Sequence, residues 1–432
     1  MTKIKILVLT CMYLPNPSAN GINTKYIIEE LKKRGYEITC ISIKRDNETK
    51  YEIIENTPVY RLDPSLYTRM TNKISNIKPR FISGLSYNAI RVLRKIKSML
   101  LIVNFPNFDI IQARRIFRTI ETLHRKNRYD CIIGVFKPYA NIAALKLFKR
   151  KHPEVMCIGY YLDLITSLKR PMLMPVGFYD RLCYNEDIKT FKLLDTVLMA
   201  KGGEHRYNNP VYDSVREKIH YVDFPTFITS KNDICDKRNT DNSKIVMTYA
   251  GTLDREYRNP ELLLEALTGI SSSVGAIELN IFGKHNCNNI FNKYNNTPLF
   301  RINDYGFMPH ESVLEKMYES DFLINISNKI QNAVPSKIFE LFSTGKPIIS
   351  VIFDKNDITT RYFEQYIYVF NINAWESISY QTDKLLDFIK KHKGLNYSTD
   401  QILARYYQNT PSYTVNIIEE KLKRFLKKED VN

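Results

Sequence analysis

The stretch NAVPSKIFELFSTGKPIISV, residues 332–351, holds the side chains best placed to do chemistry. An amphipathic helix packing on a core needs only Ile338, Phe339, Leu341 and Phe342. Pro335, Ser336, Lys337 and Glu340 require another reason. Proline suits a first helical turn, because the N–H groups there have no partner inside the helix. The N–H groups near Ala333, Val334 and Ser336 would then point outward with the positive end of the helix dipole behind them, an anion site that a diphosphate would satisfy. Lys337 adds positive charge at the same end. Glu340, one turn further on, shares a face with Lys337 and Thr344. It is poorly placed to meet phosphate and well placed to accept hydrogen bonds from sugar hydroxyls. The plainer reading is a capped helix with an exposed Lys–Glu pair worth about 0.3–0.5 kcal/mol. Composition alone leaves both open.

Elements that could position these residues alternate along the chain. IKILVLT is a near-continuous apolar strand of the type covered on both faces. After the loop CMYLPNPSANG, NTKYIIEELKKRG predicts a helix with Ile27, Ile28 and Leu31 inward and Gly35 as its terminator. YEITCISI, YDCIIGVF, VMCIGYYLD and DTVLMA read as further strands. Residues 229–244, TSKNDICDKRNTDNSK, are polar and aperiodic, and form the best linker in the chain. The alternation then restarts: KIVMTYAG, IELNIFG, DFLINIS and KPIISVIF are strands, with NPELLLEALTGI, SVLEKMYES and SKIFELFSTG as helices between them. The expected fold is therefore α/β, with two Rossmann-like parallel-sheet domains facing a cleft. Their bounds are 1–225 and 226–400, and a basic helical tail over 401–432 packs back on the first. Ligands of such sheets bind outside the carboxyl ends of the strands.

Composition agrees. A chain of 432 residues is too long for one ordinary core. Hydrophobic content of 44% with 25% charged residues describes a folded, soluble protein. No run of 18 apolar residues is present to span a membrane. The apolar N-terminus reads as a buried strand rather than a signal peptide. The seven cysteines are scattered, without a C-x-x-C pair, and the seven histidines form no ligand pattern. A reducing cytosol and no metal are expected.

The net charge of +17 is unevenly spread. Between Pro64 and Phe108 there is no acidic residue, while Arg69, Lys73, Lys78, Arg80, Arg91, Arg94, Lys95 and Lys97 alternate with aromatic and aliphatic side chains. Around NAIRVLRKIKSMLLIV the apolar positions 89, 90, 93, 96 and 100 fall on one helical face. Such a helix can lie on an anionic membrane surface, each basic residue contributing roughly 1 kcal/mol. An ordinary surface helix with a solvated basic face is the alternative. Nucleic acid is not the expected partner, because no binding motif accompanies the charge.

At this level the second half of the chain resembles the GT-B glycosyltransferases of family 4, the group 1 glycosyl transferases. The matching stretches, in order, are NGINTKYIIEELKKRGYEITCIS, TYAGTLDREYRNPELLLEAL, LNIFGK, YGFMPHESVLEKMYESDFLINIS and PSKIFELFSTGKPII. The resemblance covers most of the second domain and roughly the first 45 residues. It implies that the first domain binds the acceptor and the second a nucleotide-sugar.

Carried over residue by residue, the resemblance assigns roles. Of the family's two glutamates, eight positions apart, Glu340 matches the second, which typically holds the nucleotide ribose. The first, which typically holds the donor hexose, falls on Asn332, able to hydrogen-bond hydroxyls but uncharged. Backbone N–H groups for the sugar and diphosphate fall at Ala333 and Val334. The arginine that normally follows the Gly251 position is Thr252 here, and Arg258 becomes the expected diphosphate cation. Base-binding backbone falls near Met308 and Pro309. Asn20 and Gly21 match a Gly-Gly pair in the first domain, and Asp163 stands near the place of a histidine, where it contacts the donor sugar or caps a loop. The expected catalytic residues are Asn332, Arg258 and Lys337. The expected donor-binding residues are Asn20, Gly21, Asp163, Gly251, Thr252, Met308, Ala333, Val334, Ser336 and Glu340. No cofactor is expected beyond a nucleotide-diphospho-sugar co-substrate.

The implied function is a retaining, metal-independent glycosyltransferase acting on a lipid-linked or oligosaccharide acceptor in bacterial surface polysaccharide assembly. It would work in the cytoplasm at the inner face of the plasma membrane, with residues 64–108 against the lipid. The lack of a D-x-D triplet fits a mechanism without metal. Rival readings are a nucleotide-sugar epimerase of the same architecture and a degenerate, nucleotide-sugar-binding scaffold.

Overall fold

The structure, a computed structural model, describes residues 3–15, 17–45, 48–65, 69, 105–106, 109–168, 170–171, 174–227, 243–295, 297–329, 337–357 and 359–429. The chain divides into two compact units, Met1–Thr226 with Gln408–Asn432, and Phe227–Tyr407.

The first unit is built on an eight-stranded sheet in the order β3-β4-β2-β1-β5-β6-β7-β8. Its strands are β1 (Lys5–Leu9), β2 (Glu37–Ile43), β3 (Tyr51–Ile54), β4 (Thr57–Leu62), β5 (Cys131–Val135), β6 (Met156–Tyr161), β7 (Thr196–Ala200) and β8 (Ile219–Val222). All pairings are parallel except β3 with β4. That hairpin turns on Glu55 and Asn56, both at positive φ, as a tight two-residue turn between twisted strands demands. Helices α1 (Ala19–Lys33), α2 (Ile110–Asn127), α3 (Tyr139–Lys151) and α4 (Val176–Leu193) connect the parallel strands.

Side-chain alternation along β1 explains the layering. Ile6 and Val8 face a core shared with Ile27, Ile28 and Leu31 of α1. Leu7 and Leu9 face the opposite core, with Ile116 and Ile120 of α2 and Leu145 and Phe148 of α3. Two-sided burial is why these strands read as unbroken apolar runs.

The second unit holds a wholly parallel six-stranded sheet, β11-β10-β9-β12-β13-β14. Its strands are β9 (Lys244–Ala250), β10 (Ala276–Phe282), β11 (Phe300–Gly306), β12 (Phe322–Ile326), β13 (Ile348–Ile352) and β14 (Val369–Asn373). The connecting helices include α5 (Glu261–Val274), α6 (Asn288–Tyr294), α7 (His310–Glu319), α8 (Lys337–Ser343), α9 (Thr360–Phe363) and α10 (Ile378–His392). Helix α11 (Thr399–Tyr406) also packs here, stacking Tyr406 on Phe342 at 4.6 Å. Helix α12 (Pro411–Glu429) belongs to the first unit, where Val415, Ile418 and Leu422 are buried in the core that α1 also lines.

Sequence reading missed β3, β4, β8, β11 and β14. All of these are edge strands or belong to the edge hairpin, and they carry polar residues such as those of FRINDYG and VFNIN. In each sheet the first strand has neighbours on both sides, β2 and β5 around β1, β10 and β12 around β9. The chain reverses its winding there, and the loops diverge at the carboxyl ends.

Candidate functional site

In the second unit the candidate site lies at the carboxyl ends of β9, β10 and β11. Backbones converge tightly there. Gly251 donates its N–H to Phe282 at 2.8 Å and Gly283 donates to Gly306 at 2.7 Å. Gly283 has φ +134°, and a Cβ on it would stand 2.0 Å from the Gly251 carbonyl oxygen, so only glycine fits.

The loop after β9 is folded by its own sequence. The Asp254 carboxylate accepts from the N–H groups of Glu256 and Tyr257 at 2.8 and 3.1 Å, the local turn that aspartate favours. Asp254 and Arg258 also pair through their backbones at 2.9 and 3.2 Å. This aims the Arg258 guanidinium inward. Its Nε donates to Asn328 Oδ1 at 2.6 Å, and the guanidinium also hydrogen-bonds the Tyr249 hydroxyl. Tyr249 in turn donates to the Thr252 carbonyl at 3.1 Å, and burial pushes its own pKa up to about 12.

Lys337, the first residue of α8, extends its ammonium to the carbonyl of Ala250, the last residue of β9, at 3.1 Å. Desolvation there pulls Lys337 below the ordinary lysine value; Glu340 opposes the shift and the Arg258 charge adds to it. Glu340 lies one turn along α8, with its Oε2 3.4 Å from Nε2 of His310, the first residue of α7. This contact raises His310 above the usual histidine value despite partial burial. Two residues before His310, Met308 is half exposed and Phe307 is 80% exposed. The Met308 loop, His310 and Glu340 thus adjoin the start of α8, where the charges of Glu340 and Arg258 are both felt by Lys337.

Asn332, Ala333, Val334 and Ser336 lie outside the described residues. Gly251, Thr252, Arg258, Met308, Lys337 and Glu340 are brought to one sheet end. Sequence reasoning missed His310, Tyr249, Asn328 and Gly283. Only Gly283 carried a signal, as a glycine directly after an apolar strand; His310 and Asn328 gain meaning from the distant partners Glu340 and Arg258, and Tyr249 from Arg258 in the loop that follows its strand.

In the first unit, Asn20, Gly21 and Asp163 gather at the carboxyl ends of β1, β5 and β6. Ser18 caps α1, its hydroxyl accepting from the Gly21 N–H at 3.2 Å. A Cβ on Gly21 would meet the Met12 carbonyl oxygen at 1.9 Å, which explains a small residue in that first turn. The Asn20 side chain donates to the Phe136 carbonyl at 3.1 Å. Asp163 pairs with Lys137 at 3.3 Å, so this end carries a lysine that the sequence reading did not single out.

Among the described residues one set of metal-ligating side chains gathers, His124, His152 and Glu154 in the first unit. His124 Nδ1 accepts the Tyr129 N–H at 3.2 Å, leaving the ring proton on Nε2. His152 bonds Glu121 and Glu154 at 2.7 and 3.1 Å. The set closes on itself, at the far ends of α2 and α3 from Asn20 and Asp163.

Neither a known family nor a curated protein sequence matches the chain. Solved structures do. The catalytic domain of starch synthase IV from Arabidopsis thaliana, bound to ADP and acarbose, superposes with a TM-score of 0.54 at 11% identity, covering 99% of this chain and 100% of that one. HepE from Anabaena, in complex with UDP-glucose, gives 0.55 at 10% identity, covering 98% and 100%. The lipopolysaccharide outer core galactosyltransferase WaaB gives 0.56 at 14% identity, covering 97% and 100%. At these identities the likeness establishes the fold, the two-domain GT-B architecture.

Proposed function

We propose that this chain is a GT-B glycosyltransferase of family 4 that moves a sugar from a nucleotide-diphospho-sugar, with retention of configuration, to a lipid-linked or oligosaccharide acceptor in bacterial surface polysaccharide assembly. The observation that carries the proposal is the order of groups along one sheet end. The exposed Phe307-Met308 loop suits a base, the Glu340 carboxylate suits ribose hydroxyls, and the Lys337 and Arg258 cations suit a diphosphate. That is the order in which a nucleoside diphosphate presents its parts. The bound ADP of starch synthase IV and the UDP-glucose of HepE support it from the same architecture.

Chemically, the glycosidic bond breaks as negative charge gathers on the departing diphosphate. Lys337 and Arg258 are fixed before reaction by Ala250, Asn328 and Tyr249, so they stabilise that charge without reorganising. No metal is required in this reading. Asn332, Ala333, Val334 and Ser336, ahead of α8 in sequence, would hold the hexose and the diphosphate. In the first unit, Lys137 and Asp163 offer a charged pair to the transferring sugar or the acceptor. Exposed Arg114, Arg118 and Arg125 on α2 extend the basic character of residues 64–108 and support a peripheral place on an anionic membrane. Among the described residues no helix is long and apolar enough to cross one.

The test is a panel of nucleotide-diphospho-sugars scored for a rise in Tm, then for turnover with membrane extracts as acceptor source. Stabilisation by one nucleotide class, abolished in Arg258→Ala, is the expected result. Interconversion of the donor sugar without transfer would assign an epimerase. Binding without any turnover would assign a scaffold, and no response to the panel would overturn the donor site.

A further inference from the structure

We infer that His310 is a positioning residue for the donor site, holding the Glu340 carboxylate away from Lys337 so that each can meet its own part of the nucleotide. The inference rests on the donor-site reading above and adds a residue that the carry-over did not supply.

Glu340 has two cations within reach. Lys337 precedes it by three residues on α8, the spacing at which side chains meet on a helix. An unopposed Glu340 would fold back onto that ammonium, neutralising the charge meant for the diphosphate and occupying the carboxylate meant for the ribose. In the structure Lys337 reaches instead to the Ala250 carbonyl at 3.1 Å, while Glu340 Oε2 faces His310 Nε2 at 3.4 Å. Each carboxylate oxygen carries two acceptor sites, so a carboxylate held by one imidazole keeps capacity for a pair of hydroxyls. His310 has a rigid base: it begins the ten-residue α7, directly behind Pro309.

The groups facing His310 are Glu340 and Lys337 from α8 and Glu311 from its own helix. The two carboxylates favour the imidazolium and Lys337 opposes it, and the hydrogen bond to Glu340 is the strongest of these. The hold on Glu340 is therefore strongest when His310 is charged. Its titration lies above the ordinary 6.5, so nucleotide-sugar affinity is full in mildly acidic solution and declines as pH rises through that raised value.

The test measures Kd for UDP-glucose, GDP-mannose and ADP-glucose from about pH 5.5 to about pH 8, a range in which neither the diphosphate diester nor the bases of these probes titrate. Wild type is expected to bind one probe with the stated pH decline. His310→Ala is expected to bind it about tenfold more weakly at pH 6 with a flat profile, and His310→Gln to recover part of the affinity while staying flat. Ring-proton NMR should show the His310 midpoint returning toward 6.5 in Glu340→Gln. A wild-type profile parallel to that of His310→Ala would overturn the inference, even if Glu340→Gln weakens binding and the donor reading stands. Unchanged affinity in Glu340→Gln, or no binding of any probe, would overturn both.

Discussion

The Lys337 ammonium lies 3.1 Å from the Ala250 carbonyl oxygen, which ties the start of α8 to the end of β9 and fixes a cation at the point where the winding of the sheet reverses. An exposed carbonyl can take water in place of this donor, so the contact matters little to folding. Lys337→Met keeps the stem and removes the charge. Sugar transfer is expected to fall about a hundredfold or more, with Tm moved by no more than a few degrees. Loss of activity that merely tracks loss of folded protein would refute a direct role.

Gly283 allows the loops after β9, β10 and β11 to close on one another. Gly283→Ala should fail to give folded protein, or lower its stability by more than about 3 kcal/mol, because the new methyl would strike the Gly251 backbone. Gly269 is the contrast. In the interior of α5, its added Cβ would meet only Thr382 Cγ2 at 3.5 Å, so Gly269→Ala should be neutral or stabilising by up to about 1 kcal/mol. Chemical denaturation of the two variants side by side decides the matter.

The last helix completes the first unit. Leu422 is fully buried, and Arg34 of the α1 C-terminus donates to Asn416 and Glu419 of α12 at 2.6 and 3.0 Å. Leu422→Ala should cost about 2–5 kcal/mol in urea denaturation. Arg34→Ala should cost less, about 1–2 kcal/mol, because that pair is partly solvated. Truncation before Pro411 should leave the first unit insoluble; a soluble, cooperatively melting truncate would contradict this.

Asp187 supplies a pH signature. The carboxylate is fully buried, accepts from the Tyr212 and Tyr207 hydroxyls at 2.8 and 3.2 Å, and has its pKa pushed up to about 7 by that burial. A carboxyl raised on folding binds its proton more tightly in the native state, so its contribution is greatest below about pH 4 and is lost as pH climbs to about 7. Asp187→Asn removes the titration. The Tm difference between variant and wild type should shift by several degrees in favour of the variant from pH 5 to pH 8. Parallel profiles would show that Asp187 is ionised throughout, held by Arg206 at 4.0 Å.

The central strands were legible because their residues face cores on both sides, which forces apolar runs such as CIIGV and FLINI. The hairpin β3–β4, β8, β11 and β14 were not, since an edge strand needs only one covered face and tolerates polar side chains. The site divides in the same way. Gly251, Arg258, Lys337 and Glu340 sit next to strand ends and helix starts that a pattern reveals. His310, Asn328 and Lys137 do not, because each acts through a partner distant in sequence. Asn20 had a position but not a partner in the sequence; its amide is spent on the Phe136 carbonyl.

By itself the sequence determined that two α/β units form and which loops end at helix starts, because hydrophobic periodicity and turn residues act over a few positions. Tertiary structure alone decided which charges face each other. That Glu340 meets His310 and not Lys337, that Arg258 is gripped by Asn328 and Tyr249, and that the final helix closes the first core all follow from strand order. Strand order brings together residues that no local rule connects.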